Sequence, residues 1–417
     1  MDRNLDLIVI GGGPAGLLCA GRAAELGGRV LLLERGERPA RKLGITGKGR
    51  CNLTNNCDRA DFLAAVKTNG RFLHSAVSAF SPGDAIRFFE GLGVPLKTER
   101  GGRVFPASDR AADIVNALIG YAQGRGATIV RERAVGLLLD GEKVVGVAGE
   151  TGREYRASRL VIATGGLSYP RTGSTGDGYR LAGQAGHTII PTRPSLVPVV
   201  TNESWPAKAM GLSLKNVTLT LQKREGGRPA FTEQGEMLFT HFGVSGPLVL
   251  SASAHMKDLP SAYTLSIDLK PALSHEQLDA RILRDFAQQQ NRDFANSLGG
   301  LLPKKLIGPI LKLSGIAPQV KVHQITREER ARLVDLMKNL TLGVRELRPV
   351  EEAVVTAGGV SVREVDPGSM ASKLVGGLSF AGEVLDLDAY TGGYNLQIAF
   401  STGFLAGEKV GREGGGR

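Results

Sequence analysis

The first fifty residues alternate short apolar runs with glycine-rich stretches. Residues 5–10 are mostly branched and apolar and are bounded by glycine, which predicts a buried strand. Residues 14–26 have the pattern of a helix, and residues 29–33 form a second apolar run that ends at Glu34. A strand, a helix and a second strand in this order predict a parallel α/β unit.

Further along the chain the period of the apolar positions changes several times. Prolines cluster at Pro191, Pro194 and Pro198, which indicates a boundary, and a strand-and-helix pattern returns near Val350. The elements predicted between these landmarks are helix-like segments within residues 71–125, short strands within 127–164, strands at 217–221 and 262–269, and helices within 274–340.

The turn after the first predicted strand carries the clearest chemical signal. Gly11, Gly13 and Gly16 fit the pattern G-x-G-x-x-G, in which the glycines permit a tight turn, a close approach of a diphosphate, and close helix–strand packing. The helix that starts at Pro14 and Ala15 would offer free N–H groups to the phosphates. Glu34 follows Gly11 by 23 residues, near the spacing expected for an acid that binds a ribose. The pattern predicts a dinucleotide site; a glycine turn without a ligand is the alternative.

Two distant segments favour FAD over NAD as that dinucleotide. A flavin and its ribitol extend beyond the diphosphate, so they need support from distant parts of the chain. Residues 159–166 predict a strand that runs into a glycine turn, and residues 377–407 predict a strand, an acidic turn, a glycine pair and a helix from about residue 395. The candidate contacts in these segments are Thr164, Gly165, Gly166, Gly382, Glu383, Gly393 and the backbone amides of Asn395, Leu396 and Gln397.

Residues 42–57, KLGITGKGRCNLTNNC, form a loop rich in glycine and basic residues. The loop lacks the spacing of a P-loop, and Cys51 and Cys57 have five intervening residues instead of the four of a glutathione-reductase disulfide. We expect it to lie along the cofactor, with contacts from Lys42, Thr46, Gly47, Arg50, Cys51 and Asn52. Cys51 beside Arg50 is a candidate general acid whose thiolate the arginine would favour. The alternative is that Cys51 only packs against the flavin ring.

The composition narrows the class of protein. The chain has 417 residues and a net charge of +11. Its three cysteines are too few for a disulfide scaffold. No apolar run has the length of a membrane span, so we expect a cytoplasmic protein without membrane contact. Residues 191–349 supply seven of the eleven net positive charges, which suggests an RNA contact through this segment or, alternatively, solubility alone.

The chain resembles the BaiN/YhiN-like family of FAD-dependent flavoproteins. The resemblance rests on DLIVIGGGPAG, KLGITGKGRCNLTN, FTHFGVSGP, TAGGVSVREVDPGSMASKLVGGLSFAGEVLD and GGYNLQIAF, and it extends over residues 5–407. It implies an α/β, Rossmann-like FAD-binding domain interrupted by an insert with a β-barrel and a helical part. The implied bounds are residues 1–190 and 350–417 for the FAD-binding domain and residues 191–349 for the insert, with the barrel in about 191–270 and the helices in about 271–349.

The resemblance also bears on individual residues and on the activity. Val135 is where related flavoproteins contact adenine through their backbone, and Arg35 follows the ribose-binding acid. His241, in the FTHFG stretch, is either a catalytic residue or a packed, hydrogen-bonded histidine. We find no metal-ligand spacing among the histidines and cysteines. No second G-x-G-x-x-G is present, so a nicotinamide, NAD(P)H, would dock only transiently as a hydride donor.

Three functions remain open on the sequence alone. The first is reduction of an activated C=C bond by hydride transfer from flavin N5, with uracil in ribosomal RNA as the preferred substrate because of the charge. The second is a small-molecule oxidoreductase linked to NAD(P)H or oxygen, such as an amine oxidase. The third is a non-catalytic RNA-binding protein that keeps FAD for its structure.

Overall fold

A computed structural model describes residues 5–414, which divide into two compact units. Unit 1 comprises the chain up to Ser195 and again from Val350, and unit 2 comprises Leu196–Pro349. The boundary lies five residues after the expected residue 191, because the segment Ile189–Ser195 is a strand that pairs with Val355–Val360 inside unit 1.

The core of unit 1 is a five-stranded parallel sheet. Its strands lie in the order Leu378–Phe380, Leu160–Ile162, Leu7–Ile10, Val30–Glu34 and Thr128–Arg131. The first four strands in this order are almost entirely buried, as expected for a parallel sheet covered on both faces. The sequence prediction of a Rossmann-like α/β fold is therefore confirmed.

Helices and smaller sheets complete unit 1. Small residues allow the C-terminal helix to pack closely on the first helix: a Cβ atom at Gly403 would overlap the carbonyl oxygen of Ala15. The helices of unit 1 are Pro14–Glu25, Arg41–Ile45, Arg59–Ala65, His74–Ala79, Pro82–Gly91, Ala111–Gly124, Asp177–Gln184 and Tyr394–Gly414. Its remaining strands are Thr54–Asn55, Leu96–Glu99, Arg103–Pro106, Ala134–Asp140, Lys143–Gly149, Glu154–Arg156, Ile189–Ser195 and Val355–Val360.

Unit 2 contains a closed six-stranded antiparallel barrel and four helices within its described residues. In barrel order the strands are Val199–Thr201, Gly243–Ser245, Phe231–Phe239, Ser213–Lys223, Tyr263–Asp268 and Leu340–Leu347. The helices are Pro247–Ser253, His275–Ala287, Lys304–Ser314 and Arg327–Lys338.

The last strand corrects the expected internal division of the insert. We expected residues 271–349 to be the helical part, but Leu340–Leu347 returns to the barrel and closes it by pairing with both Tyr263–Asp268 and Val199–Thr201. Its first three residues are buried, exposed and buried in turn, as in a half-buried strand. The helical part of unit 2 is therefore enclosed between barrel strands in sequence.

Candidate cofactor site

The glycine turn has the geometry that a diphosphate needs. Gly11 has φ +103°, and a Cβ there would lie 2.6 Å from the Ala163 carbonyl oxygen, while a Cβ at Gly16 would overlap the Gly11 carbonyl oxygen. At Gly13, in contrast, the nearest atom to an added Cβ would be 3.9 Å away. Gly11 and Gly16 are thus required by packing within the protein, whereas Gly13 leaves an open face where a ligand can approach.

The helix Pro14–Glu25 begins directly at this open face. Leu17 N donates to Gly13 O at 2.9 Å, so the first intrahelical hydrogen bond starts there. Pro14 has no N–H, and the amides of Ala15 and Gly16 precede the first residue that has an intrahelical acceptor. These two N–H groups and the positive end of the helix dipole suit an anion.

Glu34 lies at the end of its strand, where a ribose-binding acid is expected. Its Oε2 accepts a hydrogen bond from Gly12 N at 2.8 Å and its Oε1 accepts one from Gly36 N at 2.6 Å. Each oxygen keeps a second lone pair for a ribose hydroxyl. Arg35, in contrast, points to the helix Asp177–Gln184, where it donates to Thr175 and, at 3.1 Å, to Asp177 Oδ2.

A charged cluster that the sequence did not suggest joins the loop at residue 42 to the acidic turn at residue 383. Lys42 Nζ lies 2.7 Å and 3.0 Å from the two carboxylate oxygens of Glu383 and 2.6 Å from Ser168 Oγ. Glu383 Oε1 also accepts from Thr356 N at 2.9 Å and from Ser168 Oγ at 3.1 Å. The predicted contacts Lys42 and Glu383 are therefore brought together, and they neutralise each other in this structure.

The basic loop itself differs from the expectation for Arg50 and Cys51. Arg50 pairs with Glu99 and with Asp109, and its guanidinium lies 4.2 Å from the centroid of the Phe105 ring. Cys51 has no accessible surface, and burial raises the pKa of its thiol to about 12. The expectation that Arg50 favours a Cys51 thiolate is wrong, because the arginine is held by two carboxylates and the thiol is desolvated.

The other predicted residues of this loop have backbone and amide roles. Thr46 Oγ1 donates to Leu43 O at 2.7 Å, and Thr46 O accepts from Cys51 N at 3.0 Å. Gly47 has φ +57°, which helps the chain to reverse here. With its amide oriented to satisfy its neighbours, Asn52 donates to Thr54 O and accepts from Gly393 N at 3.1 Å, so it links the loop to the glycine pair.

The C-terminal helix begins at Tyr394, one residue before the predicted start. Gln397 N donates to Gly393 O at 3.1 Å, so the expectation that the Gln397 amide faces a flavin is wrong. The amides of Asn395 and Leu396 lie in the first turn and remain candidates. The side chain of Asn395 holds the preceding loop through Ala389 and Tyr390, and the buried Gln397 side chain bonds Thr54, Phe80 and Ser401.

The turn after the strand Leu160–Ile162 contains a hydroxyl group, that of Thr164, with unsatisfied hydrogen-bonding capacity. Within residues 5–414, the Thr164 hydroxyl is buried and has no hydrogen-bonding partner. Gly165 has φ +75°, and a Cβ at Gly166 would lie 2.5 Å from Thr356 Oγ1. The Thr356 hydroxyl in turn accepts from Leu167 N at 2.8 Å.

Two predicted residues lie elsewhere. Val135 lies at a shift in register between Ala134 and Gly136, where its strand pairs with Lys143–Gly149. The carbonyl oxygen of Val135 accepts a hydrogen bond from the Arg180 side chain at 2.7 Å. His241 belongs to unit 2, where it lies exposed on a turn of the barrel with its ring 4.9 Å from that of Phe242. Its proposed catalytic role stays a prediction.

Sequence reasoning missed Ser168 and Thr356, which hold the Lys42–Glu383 pair and the turn at residues 164–168. Thr356 begins the TAGGVSVREVDPGSM stretch, but nothing there indicates its contact with Leu167, 189 positions away, and no motif indicates the contact of Ser168 with Glu383, 215 positions away. Gly382, which was predicted, has φ +79° and donates its N–H to Thr402 Oγ1 at 2.9 Å.

These residues fit FAD. The open face at Gly13, the unused acceptor capacity of Glu34, the partnerless Thr164 hydroxyl and the first-turn amides of Asn395 and Leu396 all lie at turns or helix starts of unit 1 and offer polar atoms to a ligand. In open α/β sheets, ligands bind beyond the carboxyl ends of the strands, where the turns at residues 11–13 and 163–166 lie. When bound, the flavin supplies the redox chemistry.

Comparison with known proteins agrees with this class, a dinucleotide-binding α/β protein with FAD as its cofactor. The model of the HI0933-like protein Rossmann domain matches residues 5–409, so the chain belongs to this family. It is 33% identical over 408 residues to a 3-dehydro-bile acid delta(4,6)-reductase of Clostridium scindens, which covers 96% of this chain and 97% of that protein. It is 31% identical over 410 residues to the ribosomal RNA dihydrouridine synthase of Escherichia coli, with 98% of each chain covered.

A solved structure shares the fold. It is a 3-ketosteroid delta1-dehydrogenase from Sterolibacterium denitrificans in complex with 1,4-androstadiene-3,17-dione, with a TM-score of 0.52, 13% identity, and 98% of this chain and 100% of that chain covered. The protein is an FAD-dependent oxidoreductase, as the sequence predicted. Within residues 5–414 no helix is both long and apolar enough to span a membrane.

Proposed function

We propose that the protein reduces a C=C bond that is conjugated to a carbonyl group, with uracil in ribosomal RNA as the substrate and a reduced nicotinamide as the electron donor. The observation that carries the reaction class is the similarity, over nearly the whole chain, to two relatives whose names both describe the reduction of a C=C bond. An amine oxidase, the small-molecule alternative, would instead oxidise its substrate and transfer the electrons to the flavin.

The choice of RNA rests on the charge of unit 2. Leu196–Pro349 contains 20 Lys and Arg against 14 Asp and Glu. We call Lys208, Lys304, Lys305 and Lys312 the lysine patch. All four are exposed, and Lys305 Nζ donates to Met210 O at 2.8 Å, which joins the two segments that carry the patch.

The geometry of the patch suits a phosphate backbone. Lys304 and Lys312 are eight residues apart on the helix Lys304–Ser314, so they lie about 12 Å apart along the axis and about 80° apart around it. Neither has an ion-pair partner among the residues that the structure describes. The exposed side chains of Met210, two residues after Lys208, and of Leu313, next to Lys312, add apolar surface to the patch. Unpaired lysines of this kind can neutralise phosphates and release counterions.

Mass spectrometry of ribosomal RNA nucleosides tests the substrate directly. Cells without the gene should lose a dihydrouridine that returns with the wild-type gene. Unchanged dihydrouridine would contradict the RNA substrate, while steady oxidation of a reduced nicotinamide with a conjugated enone would keep the reaction class. Absence of turnover with any acceptor, together with tight RNA binding, would favour the non-catalytic alternative.

RNA binding by the holoprotein tests the lysine patch. Binding should weaken steeply with salt, and the variant K304A/K312A should lower the slope of log K against log salt by about 1.4–1.8. The matched control K143A/R153A removes the same charge from exposed positions of unit 1 and should leave the slope nearly unchanged. Equal effects of the two variants would mean that the overall charge, not the patch, attracts RNA.

A further inference from the structure

The loop between the acidic turn and the C-terminal helix contains a carboxyl group without an assigned role. Residues 384–393 connect Glu383, a candidate flavin contact, to the helix Tyr394–Gly414, whose Asn395 and Leu396 amides are candidate contacts as well. Both ends of this ten-residue loop are therefore expected to lie at the flavin. The loop also follows the carboxyl end of the strand Leu378–Phe380, the edge of the sheet at which ligands bind.

The loop is held in place along its length by the segment at residues 65–69. Val66 and Ala389 form an antiparallel bridge, and Tyr390 N donates to Ala65 O at 3.1 Å. Lys67 N donates to Asp388 O at 2.8 Å. The side chains of the loop are therefore fixed relative to the cofactor domain, which a group that acts on a substrate requires.

The two carboxyl groups of this loop have different environments. Asp388 is fully buried, and its carboxylate accepts from Ser195 Oγ at 2.6 Å and from Thr68 Oγ1. Asp386 is half-buried and keeps accessible surface. Asn69 Nδ2 donates both to Asp386 Oδ2 at 3.0 Å and to Asp386 O at 2.8 Å. Asp388 is thus a structural group, whereas the Asp386 carboxyl group is held by Asn69 and remains partly accessible to solvent.

Asn69 adopts a backbone conformation that supports this arrangement. Its φ of +55° is uncommon for a residue other than glycine, although asparagine tolerates it better than most residues. Its side chain reaches across to a residue 317 positions away in the chain. Asn69 is therefore a positioning residue for the Asp386 carboxyl group.

The charges around Asp386 favour its neutral form. Burial raises the pKa of this carboxyl group, and the negative charge of Asp388 raises it further. The hydrogen bonds from Asn69 and from the Gly358 backbone and the charge of Arg193 act in the opposite direction, but the net shift is upward. Burial raises the pKa of the phenol of Tyr179, on the helix Asp177–Gln184, and the charges of Glu383 and Asp386 raise it further. A carboxyl group of this kind keeps its proton to higher pH than an exposed aspartate.

We propose that Asp386 is the proton donor of the reduction, positioned by Asn69; this rests on the proposed function. One carbon of the C=C bond would receive a hydride from the reduced flavin, and the other carbon receives the proton of the Asp386 carboxyl group, which becomes a carboxylate. The carboxylate regains its proton from solvent, and a reduced nicotinamide replaces the two electrons. Cys51, the rival acid, has no accessible surface through which it could reach a substrate.

A spectral titration of the oxidised holoprotein tests the position of Asp386 without turnover. If the carboxyl group lies beside the flavin, the visible spectrum of bound FAD should change with a midpoint above 3.8, the ordinary value for aspartate. D386N should lose this transition, and the control D140N, at an exposed hairpin turn, should keep it. N69A should move the midpoint upward, because the carboxylate loses a donor; a purely structural role would change only the melting temperature.

Separate half-reactions then test the proton transfer. D386N should bind FAD and accept electrons from NADPH or NADH as the wild type does, but its reduced form should react with unmodified ribosomal RNA roughly 10²–10⁴-fold more slowly. The control D140N, at an exposed position, should react with RNA at the wild-type rate. A wild-type spectrum without the transition, a transition that persists in D386N, or slowing confined to C51A would overturn the proposal. If the wild type does not reduce RNA, the proposed substrate fails, and the titration still decides whether Asp386 lies at the flavin.

Discussion

The loop at residues 42–57 of unit 1 and the lysine patch of unit 2 use their basic residues in different ways. In unit 1, Lys42 and Arg50 belong to one loop, but their partners Glu383 and Glu99 lie 341 and 49 residues away. In unit 2, Lys304 and Lys312 are exposed on one helix, and no ion pair holds them within the described part of the chain. The same residue types therefore fix loops around a cofactor in one unit and remain available to a solvent-borne polyanion in the other.

This difference limits what charge counting can reveal. The loop at residues 35–50 has six basic residues against one acid, which suggested that its cations face the cofactor or an anionic substrate. The structure shows that at least Lys42 and Arg50 are neutralised by distant carboxylates. A local excess of charge indicates a binding surface only when the chain does not supply the counter-charge after folding.

The largest effect should come from Gly16, where packing inside unit 1 leaves no space. Gly16→Ala would place a Cβ against the Gly11 carbonyl oxygen, so we expect a loss of about 1–3 kcal/mol or more in the free energy of unfolding. Gly13→Ala is the matched control, because its Cβ meets no atom closer than 3.9 Å. It should leave the unfolding of the apoprotein nearly unchanged and weaken FAD binding. Equal melting temperatures for the two apoprotein variants would contradict this assignment.

Glu34 should matter for the cofactor more than for the fold. Glu34→Ala should weaken FAD binding by about 1.5–3 kcal/mol, because the ribose hydroxyls lose a charged acceptor. Titration of the apoprotein with FAD, followed by flavin fluorescence, measures the change. Glu37→Ala is the control at a neighbouring exposed glutamate and should bind FAD as the wild type does. An unchanged affinity of the Glu34 variant would place the ribose elsewhere.

The glycine motif and Glu34 could be predicted because their structural roles depend only on residues that are close in sequence. A turn, a helix start and an acid at the end of the next strand are all encoded within about thirty residues, and the structure has each of them in its expected place. The closing barrel strand Leu340–Leu347 was missed because its partners lie as many as 148 residues away in the chain, and no local signal announces such pairing.

The environment of Cys51 could not be predicted for a related reason. Its neighbour Arg50 is adjacent in sequence, which suggested an electrostatic effect on the thiol. The fold instead brings Glu99 and Asp109 to the arginine and removes the thiol from solvent. Asp386 was not predicted because its raised pKa depends on the burial of the loop and on the charge of Asp388, which outweigh the hydrogen bond from Asn69. The sequence shows which residues are adjacent along the chain, whereas the pKa of a group depends on the residues that surround it in the folded structure.

The pair Lys42–Glu383 allows a direct comparison between the units. Lys42→Met leaves the largely buried Glu383 carboxylate without its cation, so we expect a loss of about 1–2 kcal/mol in the free energy of unfolding. The double variant K42M/E383Q should regain part of this loss. Lys312→Met removes an equivalent charge from the lysine patch and should change stability by less than about 0.5 kcal/mol. Urea unfolding of each variant gives the values, and equal losses at Lys42 and Lys312 would remove the contrast between the units.

The smallest effect should be a pH dependence from His187, whose buried ring lies 2.7 Å from Ser372 Oγ and 3.3 Å from Glu364 Oε2. Burial lowers the pKa of His187 in the folded state below 6.5, so the unfolded chain binds the proton first as the pH falls. Stability should therefore decrease as the pH drops below about 6.5, by at most about 1.4 kcal/mol per pH unit, and the decrease should end below the folded pKa. Urea unfolding of the wild type and of His187→Gln between pH 5 and 7.5 checks this, with exposed His74→Gln as the control. The His187 variant should have the shallower slope; a slope equal to that of the wild type would assign the acid sensitivity of unit 1 to other groups.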